Sequence, residues 1–235
     1  MRFLVTRPEP ECQQTGERLM ALGQDVITAP MLSLTDLSAR WFDLDQVSGL
    51  SATSQRVAGL LQTHPQLPLL RRLPVFAVGD RTAEAFRELG FEMVYSADGD
   101  VEDLCALIGA HVSSGKILYL AARDRRGKLE ERLAEFGLSC VLEEIYSMEE
   151  AKAFPTETLT ALQAGEIFIV LIYSARSAQV FRKLMAAAGS AGVMKKLLFV
   201  AISEQAAEPL GAGLNVTIAA RPREDDVLKA ALSLC

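Results

Sequence analysis

Short apolar runs alternate with helix-patterned segments along the whole chain, and glycine, serine or threonine marks most of the junctions. This alternation constrains the fold more than any other feature. A strand-helix series buries both faces of its strands by building a parallel sheet covered by helices. RFLVT (2–6) precedes a helical segment over 10–23, with Thr15, Leu19 and Leu22 spaced along one face and Gly23 as its terminator. Further strand candidates are DVITAP (25–30), VSGLSA (47–52), VFAVG (75–79), EMVYSA (92–97), KILYLAA (116–122), EIFIVLIYS (166–174), LLFVAIS (197–203) and NVTIAA (215–220). VSGLSA carries the weakest strand signal, and CVLEEIYSM (140–148) reads as a longer, partly polar extended run.

The order of units repeats. ERLMALGQDVITAP is echoed by ERLAEFGLSCVLEEIY, ATSQRVAGLL by IYSARSAQVF, and FAVGDRTAEAF by FVAISEQAAEPL. Three echoes in one order indicate two similar halves of roughly 115 residues, about the size of a domain. Ser113-Ser114-Gly115 is only a turn, so the connectors are sought in the extended polar segments SLTDL (33–37) and EIYSMEEA (144–151).

Composition excludes several functions. A formal charge of −6 and a pI near 5.1 oppose non-specific nucleic-acid binding, which needs a basic surface. Apolar runs such as IFIVLIY are far shorter than the roughly 20 residues that span a bilayer, and MRFLVTRPEP reads as a first strand and not a signal peptide, so a cytoplasmic protein without membrane contact is expected. Cys12, Cys105, Cys140 and Cys235 lack the spacing of a metal or redox motif. His64 and His111 both read as surface loop or helix end, which leaves little room for a histidine base.

The chemistry therefore falls to the junctions. Ligands of open α/β sheets bind outside the carboxyl ends of strands, where backbone N–H groups and helix dipoles favour anions. Thr53-Ser54, Gly79 to Thr82, Tyr173-Ser174 and Ser203 occupy such positions, with N-capping as the competing role for each. Arginines cluster at Arg71-Arg72, Arg81, Arg123 to Arg126 and Arg221 to Arg223, so local anion binding stays open despite the net charge. The phosphate-loop, dinucleotide, serine-hydrolase and zincin signatures are absent. What remains is a chain that binds an anion through amides, hydroxyls and guanidinium groups, with or without catalysis by positioning and electrostatics.

FLVTRPEP at the start, G-x-D-V-x-x-A-P-M-L at 23–32, ATS at 52–54, AVGDRTAEAF at 77–86, EEIYSM at 143–148, YSARSAQVF at 173–181 and AISEQAAEPL at 201–210 follow one another in a familiar order. In these stretches the chain resembles the uroporphyrinogen-III synthase family. The resemblance implies two flavodoxin-like α/β domains joined by a two-stranded linker, the first domain discontinuous: residues 1–32 with 152–235, an inserted domain over 38–143, and linker strands at 33–37 and 144–151. It implies a monomeric lyase that closes the linear tetrapyrrole hydroxymethylbilane with loss of water and inversion of ring D, without metal or organic cofactor. The alternative is a non-catalytic protein of the same architecture that binds a small anion.

Carried over residue by residue, the resemblance makes Tyr146 the group that assists departure of the hydroxyl. Thr82 with Gly79, Thr53 with Ser54, Tyr173 with Ser174, and Ser203 become substrate contacts, and Arg7 at the end of the first strand a partner for a substrate carboxylate. The chain departs from the family at Ala206, where a hydroxyl is expected, and at Ala121-Ala122, where an Arg-Gly pair is common, leaving Arg123 and Arg125 as replacements. Pro209 is expected to shorten or kink the helix after Ser203.

Overall fold

The computed structural model describes residues 1–39, 41–125 and 129–235. The chain divides into two compact units, Met1–Leu34 with Glu149–Cys235, and Thr35–Met148.

The first unit contains β1 (Arg2–Val5), α1 (Glu11–Ala21) and β2 (Asp25–Thr28), then begins β3 (Leu32–Asp36). The second unit follows with β4 (Val47–Ala52), α2 (Arg56–Leu61), α3 (Leu67–Leu70), β5 (Val75–Ala77), α4 (Asp80–Glu88) and β6 (Val94–Ser96). It continues with α5 (Val101–His111), β7 (Lys116–Ala122), α6 (Leu129–Glu135) and β8 (Ser139–Glu150). The chain then completes the first unit through α7 (Thr156–Ala164), β9 (Ile169–Ile172), α8 (Ala175–Ala187), β10 (Leu198–Ala201), α9 (Glu204–Ala207), β11 (Asn215–Ile218) and α10 (Glu224–Leu232).

The first sheet has the order β11-β10-β9-β1-β2, and its pairs are parallel. In chain order this is 2-1-3-4-5, the flavodoxin-like arrangement. The second sheet runs β3-β8-β7-β4-β5-β6, with parallel pairs from β8 to β6. Starting from β7, the series β7, β8, β4, β5, β6 has the same order as β1, β2, β9, β10, β11. The second unit is thus a circular permutant of the first, which is why the sequence echoes come in one order. The edge strand β3 runs antiparallel to β8, since Leu37 N–H bonds Ile145 O at 2.9 Å and Ala151 N–H bonds Met31 O at 3.0 Å. SLTDL overlaps β3, and residues 144–151 overlap β8, which is unbroken from Ser139 to Glu150.

Central strands are apolar on both faces because helices cover both. Ile169–Ile172 are all buried, and Phe3, Val5, Ile169, Leu171 and Val200 pack on Cys12 and Leu19 of α1 and Val227, Leu228 and Ala231 of α10. In the second unit Phe76, Ile117 and Tyr119 pack against Leu104 and Ile108 of α5 and Leu129 and Leu133 of α6. The polar-looking VSGLSA is a central strand for a steric reason: a Cβ on Gly49 would stand 2.9 Å from Phe76 Cε2 and 3.3 Å from Pro74 O. Its lack of a side chain lets the neighbouring strand's phenylalanine close over it.

Gly23 ends α1 at φ 77°, with Gly23 N–H on Met20 O and Gln24 N–H on Leu19 O. These two bonds form the left-handed Schellman stop. Gly137 repeats it after α6 at φ 74°. Leu22, expected on the buried face of α1, is instead its C-cap and 55% exposed, because the helical turn has already ended there. α7 falls in a stretch without a strong apolar stripe, and only Pro155 before it and Gly165 after it signal its start and stop. As expected from Pro209, α9 is only four residues long and passes into a 3-10 turn over Glu208–Leu210.

His64 departs from its reading as surface loop. It is 8% exposed and stacks on Phe42 at 4.5 Å. Its Nδ1 accepts from Gln66 N–H at 3.2 Å, so Nε2 carries the proton donated to Ala39 O at 2.8 Å. Both ring nitrogens are spent on backbone, which makes His64 a structural residue. His111 closes α5, exposed, with its ring 4.2 Å from that of Tyr95.

All four cysteines are free, and only Cys235 is exposed. Burial pushes the Cys12 and Cys140 thiols up to about 12, and raises Cys105 as well. Since the thiolate is the reactive form, native protein near pH 8 is expected to show one fast thiol toward a disulfide reagent and all four after denaturation. Two or more fast thiols would contradict this packing. Folding favours the protonated thiols, so their contribution is complete below the ordinary thiol pKa of 9.0 and is lost as pH rises toward about 12.

Candidate active site

In each sheet the strand order reverses beside the first strand of the 2-1-3-4-5 series, and the crevice at the carboxyl ends there is the natural ligand site. In the first unit this is the β1-β9 junction, tied by Thr6 Oγ1–H on Leu171 O at 2.7 Å. Arg7 follows β1 and Tyr173 follows β9. The Arg7 guanidinium lies over the Tyr173 ring, 4.3 Å from its centroid. Arg7 Nη1 donates to Thr15 Oγ1 at 3.1 Å and pairs with Glu224 Oε1 at 3.0 Å, and the Thr15 hydroxyl donates to that same carboxylate oxygen at 2.6 Å. Arg18 takes the other oxygen of Glu224 at 3.0 Å and Asp225 at 2.5 Å, which holds the Asp225 carboxyl below the usual range.

Tyr173 Oη is buried and makes no hydrogen bond among the described residues. Burial first, then the Glu224 charge, pushes this phenol above its ordinary range against the opposing charge of Arg7. Tyr173 is therefore held as a neutral O–H group, with Thr15 and Arg7 near enough to its oxygen to offset part of that shift. Thr15 and Glu224 belong to the site, although nothing in the sequence marks either as a binding residue. Thr15 follows the helical spacing of α1, and Glu224 sits at the head of α10, where acidic residues favour the helix dipole in any case.

The equivalent junction in the second unit is β7-β4. Thr53 Oγ1 lies 3.3 Å from Tyr119 Oη, whose phenol is raised by burial. Ser54 Oγ accepts from Arg56 N–H at 3.3 Å. Arg125, after β7, is held by Glu144 at 3.0 Å and Glu130 at 2.8 Å, and Arg123 reaches Glu144 at 3.3 Å. These replacements for the Arg-Gly pair are thus engaged with carboxylates of their own chain. Arg126 lies outside the described residues.

The third junctions of the two units share a backbone. Gly79 caps α4 at φ −153°, ψ 164°, and Ser203 caps α9 at φ −160°, ψ 163°. Ser203 Oγ accepts from Ala206 N–H at 3.2 Å, and Ser174 Oγ accepts from Ser177 N–H at 3.1 Å, so both serines are N-caps in fact. Ala206 is buried, so a hydroxyl there would have faced the interior. Among the described residues nothing demands glycine at 79: its φ suits any residue, and an added Cβ would meet none of their atoms within 4 Å. Buried Thr82 stands in the first turn of α4, the helix that Gly79 caps.

Tyr146 is set by an irregularity of β8. Ala121 pairs with Glu144 but Ala122 with Tyr146, which leaves Ile145 as an extra residue. Ile145, Tyr146 and Ser147 are consequently all buried, where regular pleating would alternate, and Tyr146 is 5% exposed. Bulges of this kind re-aim side chains next to sites. Arg123 N–H bonds Tyr146 O at 2.8 Å, so the tyrosine backbone is tied to the loop that follows β7.

Residues 13–229 match a family model described as uroporphyrinogen-III synthase HemD. The uroporphyrinogen-III synthase of Escherichia coli K12 is 26% identical over 191 residues, spanning 76% of this chain and 78% of that protein. Among solved structures, the uroporphyrinogen-III synthetase of Helicobacter pylori 26695 superposes with a TM-score of 0.69 at 19% identity, with 100% of each chain covered. A mutant uroporphyrinogen III synthase of Thermus thermophilus does so with a TM-score of 0.57 at 16% identity, covering 99% of this chain and 98% of that one. The structures share the fold, and the family model spans nearly the whole sequence: the chain belongs to the uroporphyrinogen-III synthase family.

Proposed function

We propose that this protein closes hydroxymethylbilane to uroporphyrinogen III, with loss of water and inversion of ring D. The observation that carries the reading is the family match across residues 13–229. The local chemistry supports it. Loss of the hydroxymethyl oxygen as water leaves a cationic azafulvene. Its attack at the substituted carbon of ring D forms a spiro intermediate, which fragments and recloses. Such a route needs the chain held and the hydroxyl assisted, without an obligatory histidine or nucleophile. Tyr146 is proposed as the donor to the leaving oxygen. Arg7, Thr53, Ser54, Gly79, Thr82, Tyr173, Ser174 and Ser203 are proposed to receive the substrate, its carboxylates falling to Arg7 and to backbone N–H groups at helix starts.

The domains are proposed to follow the family plan, with residues 33–37 and 144–151 as connectors. We take the enzyme to act as a cytoplasmic monomer without nucleic acid or membrane, in keeping with its formal charge of −6. No helix among the described residues is long and apolar enough to cross a membrane. The test supplies hydroxymethylbilane freshly from its synthase, oxidises the product and separates the isomers chromatographically. Type III is expected. Type I alone, as forms without an enzyme, would leave the anion-binding alternative standing.

A further inference from the structure

Arg7 is only half used by its own chain. Its hydrogen bond to Thr15 and its ion pair with Glu224 both run through Nη1, so neither contact uses Nη2 or Nε. The side chain is 21% exposed. Arg125 in the second unit contrasts with it, since both its terminal nitrogens are taken by carboxylates. A guanidinium stacked on a ring and pinned at one nitrogen presents its remaining N–H groups as a fixed receptor for a carboxylate. The pin is Glu224. One oxygen of that carboxylate receives Arg7 and Thr15, and the other is anchored by Arg18, so Glu224 cannot swing away without breaking three contacts.

We infer that Glu224 is a positioning residue, which with Thr15 holds Arg7 against Tyr173 so that its free edge receives a carboxylate of the substrate. Helix capping alone does not explain the arrangement. Asp225 and Asp226 already place negative charge in the first turn of α10, whereas Glu224 spends both oxygens on arginines, one of them following β1. The inference rests on the proposed reading of the substrate as a polycarboxylate tetrapyrrole.

Steady-state kinetics with fresh hydroxymethylbilane on the full chain test it, using Glu224→Gln, Arg7→Lys and the double variant. Glu224→Gln is expected to raise KM about tenfold with kcat within about twofold, since a contact equal in ground and transition states is lost. The double variant should be no worse than Arg7→Lys alone, because both changes remove one interaction. An unchanged or lower KM for Glu224→Gln, or additive losses, would overturn the assignment. If Glu224→Gln melts early, Thr15→Val carries the test: it removes the bridging hydroxyl, keeps the ion pair, and should raise KM by a smaller factor, an unchanged KM again overturning the inference. Wild-type protein giving only type I product would defeat the proposed function. Type III product with unaltered KM in these variants defeats this inference alone.

Discussion

Tyr146→Phe is expected to lower turnover about a hundredfold, the lower end of what a positioned proton donor contributes. The substitution isolates the hydroxyl. The ring is 5% exposed and phenylalanine fills the same space, so the packing of β8 should survive. The contact that ties this residue to its neighbours is Arg123 N–H on the Tyr146 carbonyl, which the side chain does not affect. The pairing of Ala122 with Tyr146 beyond the irregularity is likewise a backbone feature. KM should therefore change little while kcat falls, the pattern of an interaction made in the transition state. Unchanged kcat in a variant with wild-type circular dichroism would remove Tyr146 from the role. The product is informative as well, because slower turnover leaves more hydroxymethylbilane to close without the enzyme and so raises the share of type I isomer.

Phe181→Ala should produce the largest loss of stability. Phe181 is fully buried on α8, and its ring meets Phe154 edge-on at 5.4 Å and Phe199 at 5.8 Å. Truncating a buried phenylalanine costs about 3–5 kcal/mol through lost transfer energy and the remaining cavity. Against a total stability of about 5–15 kcal/mol this is a large fraction. The effect should be confined to the unit that holds α8, because the second unit has its own core around Phe76. Trp41, the single tryptophan, lies in the second unit and reports on it separately. In urea, the far-UV circular dichroism should gain an early transition while the Trp41 fluorescence midpoint stays near wild type. A Trp41 midpoint that falls together with the circular dichroism would contradict the separate-core description, and wholly unshifted transitions would contradict the predicted loss of stability.

The α/β class, most element positions and the glycine stops were legible in the sequence because their causes are local. A left-handed φ at Gly23 or Gly137, an apolar run that fits a doubly covered strand, and a serine that caps the next helix all depend on neighbours in the chain. Local rules also produced the misreadings. Spacing alone places Leu22 on a buried face one residue after the helix has stopped, and His64 beside a proline reads as surface although Phe42 covers it. α7 is hard to read from the sequence because its apolar stripe is weak and its start is marked by Pro155 alone.

The candidate site divides along the same line. Arg7, Thr53, Ser54, Gly79, Thr82, Tyr173, Ser174 and Ser203 could be chosen from the sequence because each ends a strand or opens a helix. Which of them meet could not. By itself the sequence determined two similar strand-helix series and the residue types at their junctions, through steric and periodic rules that act over a few residues. Only the tertiary structure decided that β9 lies beside β1, so that Arg7 stacks on Tyr173 and reaches Glu224, and that an extra residue in β8 re-aims Tyr146. The physical reason is that strand order and register are set by pairing between distant segments, and no local preference of the chain encodes which distant segment will arrive.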